Sequence, residues 1–415
     1  MSKRIGIIGG GSAGLMLAIM LMDEDVQITI FEHRNTVAGK FLMTGNGKCN
    51  ITNDNLDINE YYSDDPEKLK RIINAFSPED LKTFLKNNGI PTISKGDYVY
   101  PYTESARDIY NLFELLIKKH DVDYVLNSNV VKAVKEDDKF IVETHEGLEL
   151  SFDYLVLAGG GKAYPKTGSD GSIFKIARSF GINPTFTYPV LVPLKCENFI
   201  SILMGLRVNS ALTAYVDGDE VYKDKGNLQF TEYGLSGIVT FQVSRYLTKA
   251  LEEGKKCEVS IDFLADDDLT LDYYLELSQK HSDFTLENLF GGSINKKLLI
   301  YLLKAFIVTN SKVKEEYGLL SKLTMMDLNK DYIKEFYEYV RNYRVKIIGH
   351  MGYDHAQCTR GGVRLQELSD NLESLNCPGL YVIGEMINVD GPCGGYNLQW
   401  AFSSAHGAYE GIIKD

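Results

Sequence analysis

The apolar positions of this chain fall into distinct rhythms. Near the start they run on without alternation: Arg4-Ile-Gly-Ile-Ile8 reads as a short strand buried on both faces, and Ser12 to Met22 as an apolar helix that opens with small residues. Gln27 to Phe31 returns to strand rhythm and ends at Glu32. Strand, helix and strand in this order make a βαβ unit. Lys68 to Asn88 has helical periodicity broken at Ser77-Pro78, and Ala106 to Lys119 predicts another helix. Val122 to Val134, Lys139 to Thr144 and Leu148 to Leu157 read as strands separated by charged turns such as Glu136-Asp137-Asp138.

After Pro184 the texture changes. Pro189 and Pro193 punctuate a region in which Leu206 to Val216, Glu220 to Tyr222 and Cys257 to Phe263 alternate as antiparallel strands do. Asp266 to Tyr339 is instead helical and rich in lysine and glutamate. Strands return from Tyr343, and Leu380 to Ile383 is a last apolar strand, followed by a glycine-rich loop and a small-residue helix from Leu398 to Ile413. No internal repeat is visible.

Composition narrows the picture. The 415 residues leave room for two or three domains, and 44% hydrophobic with 24% charged residues is ordinary for a globular protein. A formal charge of −13 opposes broad attraction to phosphate backbones, so nucleic acid is not the expected partner. Cys49, Cys196, Cys257, Cys358, Cys377 and Cys393 are scattered, with no redox-dithiol or zinc-knuckle spacing, and read as reduced thiols; no metal is expected. Lys3-Arg4 before the uncharged stretch Ile5 to Met22 has the outline of a secretory leader. Gly6, Gly9, Gly10 and Gly11 crowd that stretch, however, and Asp23-Glu24-Asp25 follows it without a cleavage site. The expectation is a cytoplasmic protein with no export signal and no membrane span.

The turn between the first strand and helix is Gly9-Gly10-Gly11-Ser12-Ala13-Gly14, a G-x-G-x-x-G pattern. Gly9 suits a tight turn, Gly11 lets a pyrophosphate approach the backbone, and Gly14 lets helix and strand pack closely. The helix N-terminus supplies unpaired N–H groups and its positive dipole end. Glu32, closing the second strand, suits the ribose hydroxyls. Together these residues predict a bound dinucleotide. The far end of the chain bears on which one: Gly379-Leu-Tyr-Val-Ile-Gly384-Glu385 is a strand entering a glycine and an acid, followed by Asp390-Gly391-Pro392-Cys393-Gly394-Gly395-Tyr396-Asn397 and a helix. In FAD folds such a late strand, loop and helix closes the site around the ribityl chain and isoalloxazine. The helix N-terminus stabilises negative charge on the reduced ring. Tyr154-Leu-Val-Leu-Ala158-Gly159-Gly160-Gly161 is a third apolar strand that ends in glycines.

The stretch Gly39 to Asn53 (GKFLMTGNGKCNITN) resembles the signature of a bacterial flavoprotein family, the HI0933-like, aminoacetone-oxidase-like NAD(P)/FAD-dependent oxidoreductases. Gly159 to Gly171, Gln229 to Gly237, Thr359 to Val363 and Gly384 to Trp400 resemble further motifs of that family in the same order, so the resemblance spans nearly the whole chain. It implies an α/β fold: a Rossmann-like FAD-binding domain in two sequence segments, 1–190 and 359–415, interrupted by a β-barrel-like domain, 191–265 and 343–358, that carries a helical insertion, 266–342. Carried over by motif, Gly9, Gly11, Ser12, Ala13, Gly14 and Glu32 would hold the AMP half, and Val131 would meet the adenine through its backbone. Lys40, Asn46, Gly47 and Asn50 would lie along the pyrophosphate and flavin. Ala158, Gly159 and Gly160 would adjoin the cofactor, while Gly384, Glu385, Gly391, Gly394, Gly395, Asn397 and Leu398 would surround the ribityl chain and ring. Three positions in two motifs depart from the family pattern: Glu232 and Ile238 stand where it has His and Pro, and Asn388 where it has Asp.

The activity this implies is an FAD-dependent oxidoreductase that moves a hydride between flavin N5 and a small molecule. Within it stand small-amine oxidation and reduction of a conjugated double bond, with NAD(P)H as a transient electron donor and substrate reaching the flavin through a cleft between the domains. Reduction of uracil in ribosomal RNA and a flavin sensor without turnover are the alternatives. No second dinucleotide fingerprint and no early redox cysteine pair is present, which excludes a disulfide reductase. Cys49 and Cys393 lack the resolving partner and electropositive setting of a reactive thiol. His350 and His355 suit surface or strand-packing roles, Glu232 and Tyr233 either a substrate face or a domain interface, and Asn295-Lys296-Lys297 and Lys312 to Lys314 a solvated helix face. No catalytic residue is assigned.

Overall fold

The computed structural model describes residues 2–120, 122–197, 201–309, 324–326, 328 and 330–414. They divide into two compact units: residues 1–190 with 352–415, and residues 191–351.

In the first unit, Lys3–Ile8 (β1) and Val26–Phe31 (β2) flank the helix Ser12–Leu21 (α1). The sheet has five strands in the order Leu380–Val382, Tyr154–Leu157, β1, β2 and Asp123–Val125, every pair parallel. Unbroken apolar runs are what such a sheet requires, because both of its faces are covered. Ile5, Ile7, Leu155, Val156, Leu157, Leu380 and Val382 are fully buried accordingly. The chain's first and last segments thus become near neighbours in one sheet, and α1 packs against the C-terminal helix Tyr396–Lys414.

Two stretches read as continuous strands are each divided. Val122 to Val134 becomes Asp123–Val125 in the parallel sheet and Val130–Glu136 in a separate three-stranded antiparallel sheet, with Asn127 between them at φ 52°. Leu148 to Leu157 divides at Asp153, whose carboxylate accepts the Arg4 N–H at 2.8 Å and whose own N–H donates to Arg4 O. In both cases the backbone partners that decide the break lie on other strands. The predicted break at Ser77-Pro78 is present: helices Pro66–Ala75 and Pro78–Asn87 each begin with proline, and Ser77 forms a reciprocal capping box with Asp80.

The second unit is built on a closed six-stranded barrel in the order Leu194–Cys196, Gly234–Ser236, Asp219–Thr231, Arg207–Val216, Cys257–Asp262 and Tyr343–His350. Asp219–Thr231 is far longer than the expected Glu220 to Tyr222, because its polar residues hydrogen-bond along Arg207–Val216 throughout. The helix Ile238–Glu252, unread in the sequence, starts after Gly237 and buries Val239, Val243 and Leu247 completely. Helices Leu271–Lys280, Leu286–Phe290, Lys296–Thr309 and Lys330–Arg341 share one hydrophobic core with the barrel through Tyr274, Phe290, Leu302 and Phe336. Lys312 to Lys314 lie outside the described residues. Glu232 and Tyr233 form the turn between two barrel strands, and His350 pairs with Glu252 at 2.9 Å. His355 is exposed in the first unit.

The chain re-enters the first unit at Gly352, ahead of the expected residue 359, because Tyr188–Val190 pairs antiparallel with Cys358–Arg360 and Tyr353 donates its hydroxyl to Thr187 at 2.8 Å. A deletion joining Val190 to Gly352 through a short Gly-Ser linker is therefore expected to fold and to retain FAD, read as flavin absorbance after gel filtration. A folded deletion protein devoid of flavin would show that residues 191–351 build part of the cofactor site.

Candidate functional site

The site grows from the carboxyl ends of the parallel strands, where open α/β sheets bind their ligands. Three glycines of the first turn have different reasons to be glycine. A Cβ on Gly14 would lie 2.2 Å from Gly9 O, and one on Gly9 would lie 2.5 Å from Ala158 O, so both are required by packing within the protein. A Cβ on Gly11 would meet nothing within 4 Å. No protein neighbour excludes a side chain there, and the open space is what a phosphate needs to reach the backbone. Gly11 also begins α1 without a side-chain cap, and the first turn carries no acidic residue. The N–H groups of Ser12, Ala13 and Gly14 are thus left for an anion.

On one side of this turn lies a recess walled by Ile8, Gly9, Phe31, His33, Ser128, Asn129, Val130, Gly159, Gly168, Ser172 and Ile173. The recess walls end at Val130, and the neighbouring Val131 is an exposed side chain. Glu32 closes β2, with its side chain 11% exposed. Its carboxylate accepts the N–H of Gly10 at 3.2 Å and of Arg34 at 2.9 Å, so it holds the glycine turn from the end of β2. Gly10 was not a predicted site residue; its Cβ would strike Val37 at 2.5 Å. Ala158, Gly159 and Gly160 follow the neighbouring strand, where Ala158 N–H donates to Ile8 O and Gly9 packs on Ala158 and Gly159.

On the other side, Phe41–Gly47 forms a 3-10 turn that contains Asn46, whose side chain is not among those described, and ends at Gly47. Lys40, just before it, forms an ion pair with Glu385 at 2.5 Å. Asn50 donates its amide to Thr52 O and Val99 O, while its buried Oδ1 has no hydrogen-bond donor. An orphaned buried acceptor costs about 1–3 kcal/mol. A ligand N–H would satisfy it.

The late loop is tied to this region by contacts across most of the chain. Gly384 donates its N–H to Ser404 and accepts from Trp400 Nε1, and a Cβ on Gly384 would meet Ala13 Cβ at 3.0 Å, which places Glu385 beside the first turn of α1. Gly394 packs on Tyr98 and Gly395 on the Thr52 backbone. Leu398 is half-buried against the core. Asn397 does not present a free amide to the site: its Oδ1 accepts Gly391 N–H and its Nδ2 donates to Gly391 O, locking the loop on itself.

Asn388 has a similar structural use. Its Oδ1 accepts Gly361 N–H at 2.9 Å and its Nδ2 donates to Asp64 Oδ1 at 3.2 Å. An Asp at 388 would set two carboxylates together, so the departure from the family motif matches Asp64. Thr359 and Arg360, in a motif block whose individual roles the sequence leaves open, also order this edge. Thr359 Oγ1 accepts the N–H groups of Lys162 and Ala163, and Thr359 N–H donates to Glu385 Oε1 at 3.0 Å. Arg360 makes a two-bond ion pair with the fully buried Asp390, its guanidinium 4.2 Å from the Tyr62 ring. Burial pushes the Cys49 thiol up to about 12 and the Cys358 thiol well above its ordinary range, so neither is a thiolate nucleophile at neutral pH. Among the described residues there is no group of three metal-ligating side chains, no disulfide, and no helix long and apolar enough to cross a membrane.

A Rossmann-like sheet with an open phosphate turn, an acid closing β2 and a late glycine loop folded back onto α1 defines an FAD-dependent oxidoreductase. The chain belongs to the family described as HI0933-like protein Rossmann domain, whose model matches residues 3–411. It is 33% identical over 418 residues to the 3-dehydro-bile acid delta(4,6)-reductase of Clostridium scindens, covering 97% of each chain. It is 30% identical over 412 residues to the ribosomal RNA dihydrouridine synthase of Escherichia coli, covering 98% of this chain and 97% of that one. Among solved structures, the open conformation of a flavocytochrome c3 fumarate reductase aligns with all of this chain and 78% of its own, at 15% identity and a TM-score of 0.49.

Substitutions separate cofactor binding from folding. Gly11→Ala should leave the thermal stability of the apoprotein unchanged yet weaken FAD binding at least tenfold, whereas Gly14→Ala should destabilise the apoprotein by about 1–3 kcal/mol through overpacking. Glu32→Ala loses a charged hydrogen bond worth about 1.5–3 kcal/mol, so FAD binding should fall roughly ten- to a hundredfold, with Glu32→Gln between. Flavin fluorescence on titrating apoprotein checks each; Gly11→Ala with unaltered affinity would remove the phosphate from this turn.

Proposed function

We propose that this protein reduces a carbon–carbon double bond conjugated to a carbonyl group in a small molecule. The observation that carries the reading is its near-full-length similarity to two reductive enzymes whose names share one event, the gain of two hydrogens across such a bond. FAD, when bound and reduced, supplies the hydride from N5. The chain's own residues supply position: the N-terminus of α1 receives the pyrophosphate, Glu32 the ribose, and the loops Lys40–Asn50 and Gly384–Leu398 the ribityl chain and ring. Val131, one residue beyond the recess wall, would bound the adenine. The structure offers no dithiol to relay electrons, and reduced nicotinamide is the donor that this reading expects. The acidic net charge favours a small substrate over uracil within ribosomal RNA.

The test is anaerobic. NADH or NADPH should bleach the flavin of the holoprotein, and a 3-keto-4,6-diene steroid or a simple cyclic enone should restore the oxidised spectrum and leave a product two hydrogens heavier. Bleaching of the oxidised protein by a small primary amine, with enones inert, would replace the proposal with amine oxidation. Reoxidation by unmodified ribosomal RNA alone would replace it with uracil reduction.

A further inference from the structure

Lys40 and Glu385 come from opposite ends of the first unit, 345 residues apart, and meet at the carboxyl edge of the parallel sheet. Their side chains are 28% and 21% exposed, so solvent screens them only in part. Glu385 is held from both sides. Its Oε2 pairs with Lys40, its Oε1 accepts Thr359 N–H, and the preceding Gly384 packs on Ala13 in the turn that faces the phosphates. The other charged pair at this edge, Arg360 with Asp390, is compensated within itself, and burial keeps the adjacent Cys358 thiol neutral. Within each of these two pairs the charges therefore compensate.

We propose that the Lys40–Glu385 pair is a charge-balancing device that sets the reduction potential of the flavin, acting through its field and not by proton transfer. The proposal rests on the reading above that FAD lies along this edge. Reduced flavin carries negative charge, so a net positive charge beside it favours reduction and a net negative charge opposes it. Neutralising either partner exposes the other, and the two single variants must move the potential in opposite directions. A merely structural pair would move stability and leave the potential alone.

The measurement is the midpoint potential of the bound flavin, by equilibration with a reference dye, in the full-length holoprotein. Glu385→Gln keeps an acceptor for Thr359 N–H and leaves Lys40 unbalanced; it should raise the reduced-to-oxidised ratio about tenfold at fixed potential, about 30 mV for a two-electron couple. Lys40→Met leaves Glu385 unbalanced and should lower the ratio by a similar factor, while Lys40→Arg and the double variant should stay near wild type. Shifts of the same sign, or no shift in either single variant, would overturn the proposal. If one single variant fails to retain FAD, the sign of the other still decides. If both folded single variants lose FAD at saturating concentration, the pair holds the cofactor and the proposal fails. Failure of the underlying reading looks different, since the wild-type protein would then take up no FAD.

Discussion

The first unit depends on how closely α1 can approach the strand that feeds it. Any side chain at Gly14 would drive into Gly9 O, and any at Gly9 into Ala158 O. These contacts bring α1 against β1 and against the turn after Tyr154–Leu157, with eight of the ten α1 residues buried. A helix so enclosed cannot tilt to relieve a clash, because interiors are packed to crystal-like density. Its N-terminus is fixed in direction by that packing, and the orphan N–H groups of the first turn are fixed with it. An open helix N-terminus that suits a phosphate is a consequence of core packing.

This explains why the dinucleotide site was legible in the sequence. The spacing of Gly9, Gly11 and Gly14, the apolar helix and the acid at Glu32 are all local, and a fault in any would disrupt the same turn. The single N-terminal βαβ unit and the late strand were legible for the same reason. Residues whose partners are distant in sequence were not. Asn388 shows in the sequence only as a departure from the family motif, and it is a strut between Gly361 and Asp64, the latter 324 residues away. Arg360 and Thr359 carry the polar order of the late edge, yet nothing in Thr-Arg-Gly-Gly-Val shows that Asp390 and Glu385 await them.

The strand errors have the same origin. Val122 to Val134 and Leu148 to Leu157 carry uniform strand propensity, but pairing is settled by neighbours: in the first, Thr29 to Phe31 takes Asp123 to Val125, while Lys139 to Thr144 takes the residues from Val130. β-propensity reports fit to a surface that other strands provide, so it cannot mark where one sheet hands over to another. In the barrel most of the strand Asp219–Thr231 carries no apolar signal, because only Leu228 and Phe230 of its thirteen residues are buried.

The division of the cofactor unit between the chain's two ends carries a small entropic cost. Loop-closure entropy grows only logarithmically with length, so once two strand ends are held together the size of what separates them matters little. Both units hold their ends together. In the first, Val190 pairs with Cys358. In the second, Leu194 pairs with His350, and Met351 N–H donates to Pro193 O. Each unit therefore closes its own core across the point where the chain enters and leaves. The cofactor unit then gains further long-range ties between its halves, Thr52 to Gln399, Asn53 to Gly394, Tyr61 to Tyr396 and Lys40 to Glu385. A ligand that touches both halves adds its binding free energy to the same closure, because it binds the folded form alone. Cofactor retention and the stability of the split unit are in this way one equilibrium, and residues that join the halves act on both.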